Sequence, residues 1–421
     1  MKVEPVPLFV SRREIFLFVL ALMLLFAVSL GMEYRRYVAL TAFDSAVVEA
    51  TVIDQYPGEK DGRKYTMLRL RSEDGFTFFM ADSQRLRDLR GYRVAADVDT
   101  SESDFLSFLR GSYFRGFLRS VGRKKLFRYR VKDLIAGQHA QRWAGELYAA
   151  LFTATPVPRA MRERLSALGV SHLLAISGFH IGLLSLMLFA VVRIPYRWMQ
   201  SRFFPWRHGR RDLFAAVAVL LLMYVLFVGM SPSVLRSYAM LLAGFFFYDR
   251  GIRVVSFASL AVTAAVLLVL WPRLLWSLGF WLSVGGVFFI FLFLRLYAFG
   301  KKSVQFVALH VWIYLTMLPW SLWIFGTFSL LHPLSIFWTM LFFLFYPLEL
   351  GLHLLGAGGL PDGLIAPLLS TVVPAKNVAM PAGIPVALSV LGLLQLVFEP
   401  VKRLFLYLSA AVLVGAVYQI T

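Results

Sequence analysis

The sequence predicts a polytopic α-helical membrane protein of about ten transmembrane helices with a small external β-barrel, OB-like in pattern. Three observations predict it. Hydrophobic side chains make up 59% of the 421 residues and recur in runs near the ~20 residues a helix needs to cross the hydrocarbon. Between residues 43 and 104 those runs give way to short alternating segments separated by turn residues, the pattern of antiparallel strands. Elsewhere, histidine, serine and arginine interrupt runs otherwise apolar enough to enter a bilayer. A charged side chain at the bilayer centre costs about 2.5–3.5 kcal/mol on insertion scales, so such residues have a job or a buried partner.

The first apolar run, 15–30, follows Arg12 and Arg13. It reads as a membrane anchor (1–31) rather than a cleaved signal, because Gly31-Met-Glu-Tyr-Arg-Arg follows it instead of a small-residue cleavage site. In 43–104 the alternating segments are 46–53, 64–71, 76–80 and 92–98, punctuated by Pro57-Gly58, Asp61-Gly62, Asp74-Gly75 and Gly91. They predict a barrel of four or five strands, with a generic sandwich as the alternative.

A basic segment, 105–145, comes next. From 105 to 132 there is no acidic residue, and Arg110, Arg115, Arg119, Arg123, Lys124, Lys125, Arg128 and Arg130 are interleaved with aromatic residues. Leu106, Leu109, Tyr113 and Phe117 fall at helical spacing, which predicts an interfacial amphipathic helix with its basic groups toward lipid headgroups. The other reading is a contact strip for a nucleic-acid backbone with stacking aromatics.

From 146 to 421 the chain reads as a transmembrane domain. Helices are expected near 172–192, 213–228, 234–247, 254–270, 276–294, 304–325, 334–353, 384–398 and 404–420. The stretch 363–379, broken by Pro367 and Pro374, reads as re-entrant or interfacial. Arg193, Arg197, Arg202, Arg207, Arg210 and Arg211 crowd the connection after the first of these helices, and alternate connections carry almost no basic residue. The positive-inside rule then puts the N-terminus in the cytoplasm and the strand domain outside. Much of the net charge of +19 serves that orientation before it argues for an anionic partner.

Three segments hold the intramembrane polar residues. His172-Leu-Leu-Ala-Ile-Ser177-Gly178-Phe-His180-Ile-Gly182 places two histidines and a serine in an apolar run. Its glycines at 178 and 182 suit close helix packing, while the polar residues either bond to neighbouring helices or line a wet path. Ser231-Pro232-Ser233-Val-Leu-Arg236 reads as a helix start, with Ser231 as N-cap and Pro232 in the first turn. Arg236, one turn deeper, either snorkels outward or faces the interior as a fixed cation. Gly279-Phe280-Trp-Leu-Ser283 brings small residues into a third helix, for packing or for a pore wall.

Several chemistries are excluded or unsupported. There is no cysteine and hence no disulfide, thiolate nucleophile or Cys-ligated zinc. No P-loop and no His-Glu-x-x-His occur, and the seven histidines lack tight metal-ligand spacing. No cofactor, metal or catalytic residue is expected. A serine hydrolase would need a histidine within reach of Ser177, for instance His310.

These three segments, in this order, resemble the competence domain of the ComEC family, the inner-membrane DNA-uptake channels of transformable bacteria. The first block is close to that family's G-x-x-H-L-L-A-I-S-G-L-H-x-G, the second to G-x-x-P-S-x-x-R-A-x-x-M and the third to G-F-Q-L-S, with Trp281 in place of glutamine. The resemblance implies an OB-like domain outside the membrane and a channel passing single-stranded DNA into the cytoplasm. His172, Ser177, Gly178, His180, Gly182, Ser231, Pro232, Ser233, Arg236, Gly279, Phe280 and Ser283 are then candidates for the strand path. The implied partners are single-stranded DNA, membrane lipids, a periplasmic DNA receptor, and a cytoplasmic ATP-driven motor or single-strand-binding protein. Many family members also carry a metallo-β-lactamase-like domain; no His-x-His-x-Asp-His occurs here, so the chain reads as a short form. The competing class is a carrier of a small anion, lipid or polysaccharide precursor, which needs the arginine but not the basic-aromatic strip.

Overall fold

The computed structural model describes residues 8–60, 63–82, 87–122, 127–174, 176–230, 232–297, 300–370 and 374–420. They form two compact units. One comprises Phe9–Asp133 and Val262–Leu278; the other comprises Leu134–Ala261 and Gly279–Thr421.

The first unit opens on helix α1 (Arg12–Leu40), started by a capping box in which Ser11 Oγ accepts from the Glu14 amide and Glu14 accepts from the Ser11 amide. Strands β1 (Ser45–Lys60), β2 (Arg63–Ser72), β3 (Thr77–Asp82) and β4 (Arg93–Asp99) follow, then α2 (Phe105–Arg110), β5 (Tyr113–Val121) and α3 (Phe127–Ala136). The five strands close a barrel in the order β1-β2-β3-β5-β4, with β3 and β5 parallel and the other pairs antiparallel. This is an OB-like barrel. Alternation puts Val52, Leu68, Leu70, Phe78, Met80 and Phe114 in its core. Beside the core, Arg273 donates to Glu33 at 2.6 and 3.0 Å and lies 4.4 Å over the Phe108 ring, so the carboxylate buried on α1 has a cation.

All four strands expected from alternation form. The basic strip, however, is not one amphipathic helix. Its start is the six-residue α2, ended by Gly111 at φ 104°. Its middle is β5, the strand that closes the barrel, so the barrel extends well past residue 104. Gly116 explains the switch: a Cβ there would lie 2.0 Å from the Asp97 carbonyl, so only glycine lets β5 pair so closely with β4. Arg123, Lys124 and Lys125 lie outside the described residues.

The second unit contains α4 (Arg142–Thr153), α5 (Arg159–Ala167), α6 (Ser171–Leu174), α7 (Gly178–Phe203), α8 (Gly209–Phe227) and α9 (Pro232–Asp249). Helix α10 (Phe257–Leu270) starts in it and ends in the first unit. Then come α11 (Leu278–Leu296), α12 (Lys302–Phe325), β6 (Thr327–Phe328), α13 (Ser335–Leu354), α14 (Asp362–Ser370), β7 (Lys376–Asn377), α15 (Gly383–Leu394) and α16 (Glu399–Ile420). One core joins Ile176, Ile181, Val217, Leu221, Val225 and Val234; another joins Phe289, Leu292, Phe293, Trp312 and Phe405.

Six helices among the described residues are long and apolar enough to cross a membrane: α1, α7, α11, α12, α13 with its leading turn, and α16. This corrects the expected ten. Helices α10 and α15, at 14 and 12 residues, rise only about 21 and 18 Å against a hydrocarbon core of ~30 Å. Helix α8 carries Arg210, Arg211 and Asp212 in its first turn, and α9 holds Arg236 and ends on Asp249. The helix expected over 172–192 is broken: α6 ends at Leu174 and α7 starts at Gly178. Helix α7 then runs on to Phe203, taking Arg193, Arg197 and Arg202 into it, so the connection to α8 is only 204–208. The stretch expected to be re-entrant contains α14 and β7, which pairs with β6.

Candidate functional site

The three polar segments meet inside the helical unit. Gly178, the first residue of α7, faces α9: a Cβ there would sit 3.4 Å from Ser237 Oγ. Arg236, on the second turn of α9, donates through Nη1 to the Gly279 carbonyl at the start of α11, at 2.7 Å. Three helices of 26, 18 and 19 residues therefore begin around one spot, each bringing the positive end of its dipole. Arg236 is 2% exposed, and among the described residues its Nε has no hydrogen-bond partner and no carboxylate pairs with it. The one bond to a carbonyl only partly offsets the charge, and helix N-termini favour an anion.

The break before α7 is built by Ser177 and His180. The Ser177 amide donates to His180 Nδ1 at 3.2 Å, and Ser177 Oγ lies 3.0 Å from the same nitrogen. Accepting the amide fixes the neutral tautomer, so the proton sits on Nε2. That Nε2 is buried and without a hydrogen-bond partner among the described residues, between the edges of Phe342 and Tyr346 on α13. His180 therefore caps a helix with one nitrogen and offers a donor with the other. His310 has no part in this: its Nδ1 bonds the Phe306 carbonyl of its own helix. His172 Nε2 reaches Thr339 Oγ1 on α13 at 3.1 Å. Phe280 is fully buried beside Trp281, and Ser283 is half-buried on α11.

The family model described as Competence protein matches residues 154–419. The chain belongs to the Competence protein family. No curated protein and no solved structure matches it. All three polar blocks, and the helices that carry them, lie inside the matched part of this Competence protein; the barrel precedes it.

The rest of the sequence-derived set is distributed unevenly. Gly182 meets nothing within 4 Å of where a Cβ would be, so of the two packing glycines only Gly178 packs. Ser233 gives its carbonyl to Ser237 Oγ at 2.7 Å. Helix α9 starts at Pro232 as expected, and Ser231 lies outside the described residues. The α13 contributors Phe342 and Tyr346 had no signal in sequence, because they sit in an apolar run in which Thr339 is a lone hydroxyl between Phe337 and Phe342.

On the barrel of this Competence protein, β5 presents Tyr113, Arg115, Phe117 and Arg119 on its outer face, the two aromatics 55% and 57% exposed. Register aligns Tyr113 with Phe79 on β3 and Phe79 with Arg69 on β2, whose guanidinium lies 5.7 Å over the Phe79 ring. The result is an aromatic-basic row across three strands. Arg69 and Phe79 were missed in sequence, although the alternation of β2 and β3 places both outward. Arg110 is engaged with Trp276, 4.3 Å from its ring, and Arg115 pairs with Glu102 at 3.6 Å. Arg128 lies 5.3 Å over the Tyr129 ring, and Arg130 is exposed on α3. Asp99 ends β4 opposite Arg115 of the row, and Asp104 caps α2 in the β4–β5 connection. Hydrogen bonds from Ser107 and Ser101 hold both below the usual carboxylate range.

Proposed function

We propose that this Competence protein is an inner-membrane channel that passes single-stranded DNA into the cytoplasm during natural transformation. The carrying observation is the convergence of the three blocks on Arg236, a buried cation among three helix N-termini with no carboxylate partner among the described residues. A phosphodiester crossing hydrocarbon needs such sites, because isolated charges are costly there. The aromatic-basic row on the barrel separates this reading from a small-anion or lipid carrier. Stacking holds bases without sequence preference, and arginines meet the backbone with salt-sensitive affinity. In this reading the N-terminus is cytoplasmic and the barrel periplasmic. A periplasmic receptor delivers the strand, and a cytoplasmic motor or single-strand-binding protein draws it in.

The test is the fate of fluorescent DNA offered to cells lacking the protein. DNA should accumulate outside the cytoplasm, and the wild-type chain should restore cytoplasmic import. Undiminished cytoplasmic import in the deletion strain would overturn the proposal.

A further inference from the structure

A second polar cluster lies in the helical unit, apart from the three blocks. His139, just after α3, has its ring stacked 4.6 Å from that of Tyr148 on α4. Its Nδ1 lies 2.9 and 3.1 Å from the two carboxylate oxygens of Asp362 on α14, and its Nε2 lies 3.0 Å from Nε2 of His353 on α13. His353 Nδ1 lies 2.7 Å from the Glu349 carbonyl, one turn back on α13. Gln138 holds the turn in place by donating to the His353 carbonyl at 3.1 Å and accepting from the Gly358 amide at 2.9 Å. Glu349 is 0% exposed. Neither of its carboxylate oxygens has a hydrogen-bond partner among the described residues, and Oε2 lies 3.7 Å from His353 Nδ1.

A carbonyl only accepts, so His353 Nδ1 carries a hydrogen. If Asp362 is ionised it too only accepts, so His139 Nδ1 carries one as well. Two neutral rings would then face each other with bare Nε2 lone pairs at 3.0 Å, which repel. One additional proton completes every bond. It sits either on one Nε2 or on Asp362, with the His139 hydrogen moved to Nε2. The groups facing this proton are Asp362 from α14, Glu349 from α13 and Tyr148 from α4. Burial raises the Tyr148 hydroxyl above its ordinary range, so it stays neutral.

We propose that Asp362, His139, His353 and Glu349 form a proton-binding relay inside the helical unit. The proton enters at Asp362, whose side chain is partly exposed, while His139, His353 and Glu349 are buried. With the proton on Asp362 and the His139 hydrogen on Nε2, Asp362 gives its proton to His139 Nδ1 as His139 Nε2 passes its hydrogen to His353 Nε2. His353 is then an imidazolium that keeps its Nδ1 hydrogen on the Glu349 carbonyl and faces the Glu349 carboxylate 3.7 Å away. Chains of Asp, Glu and His side chains serve as proton relays in pumps and transporters. A zinc ion bridging the rings would hold the two nitrogens about 3.3–3.4 Å apart, given bonds of ~2.0–2.1 Å at a tetrahedral angle. No group of three ligating side chains suited to a metal gathers among the described residues.

The test is an NMR pH titration of the full chain, purified in detergent with ¹⁵N-labelled histidine and with signals assigned by single substitutions. His139 and His353 should titrate as one coupled pair. His353→Gln should displace the His139 midpoint by about one pH unit or more, the coupling at which two sites cease to titrate separately. Glu349→Gln, nearly isosteric, should displace the midpoint of the pair while leaving His180 where it was. Unmoved midpoints in either variant overturn the relay. So does one equivalent of zinc locking both ring signals, which would make the pair a metal site. No DNA enters this measurement, so the relay and the channel reading fail separately.

Discussion

Replacing Arg236 with methionine separates a structural role from a functional one. Taking a guanidinium out of water costs several kcal/mol even after relaxation. Against this, Arg236 has one bond to the Gly279 carbonyl at 2.7 Å, a charge-assisted contact of about 1.5–3 kcal/mol. Its place near the start of α9 adds about 0.3–1 kcal/mol against a cation. Methionine fills a similar length without the charge, but strands the Gly279 carbonyl at about 1–3 kcal/mol. Thermal unfolding of the purified chain should therefore be unchanged, or stabilised by up to ~2 kcal/mol, as buried ion sites replaced by apolar side chains commonly are. Import of fluorescent DNA should fall about tenfold or more, the loss of roughly 1.4 kcal/mol of phosphate interaction at the constriction. Arg236→Lys, keeping the charge, should fall between. Destabilisation beyond about 3 kcal/mol together with intact import would refute the reasoning and make Arg236 a tie between α9 and α11.

Three further outcomes follow from the barrel. Tyr113→Ser with Phe117→Ser should weaken binding of single-stranded DNA to the full chain by about 1–3 kcal/mol per lost base stack, with its salt dependence kept; unchanged affinity in fluorescence anisotropy would remove the row from the DNA path. Gly116→Ala drives a Cβ into the Asp97 carbonyl and should destabilise the barrel by about 1–3 kcal/mol, seen as a lowered denaturant midpoint. Asp104 and Asp99 have lowered pKa values, so their contacts are fully present above the ordinary 3.8 and are lost as pH falls through the lower folded values. The Ser107 and Ser101 amides should accordingly keep their NMR shifts down to about pH 4 and move only below it; movement beginning well above that would contradict the assignment.

The sequence by itself determined the class of the protein, the four alternating strands and the places where polar groups enter apolar runs. These are legible because strand alternation and apolar run length report what each segment does locally. It also picked out Gly178, Arg236 and Gly279, which the fold brings close together. Only tertiary structure decided that Tyr113–Val121 is a strand. Its helical spacing of apolar residues was outweighed by the open edges of β3 and β4 and by a close approach that Gly116 alone permits. Helix length was likewise a tertiary matter: α7 absorbed arginines that charge counting had put in a loop, while α10 and α15 stopped short of a bilayer's thickness. The pairing of His139 with His353 and Asp362, more than 200 residues away, left no trace in spacing. A lone histidine in a turn and another in an apolar helix acquire meaning only when packing removes water from both and points their nitrogens at each other.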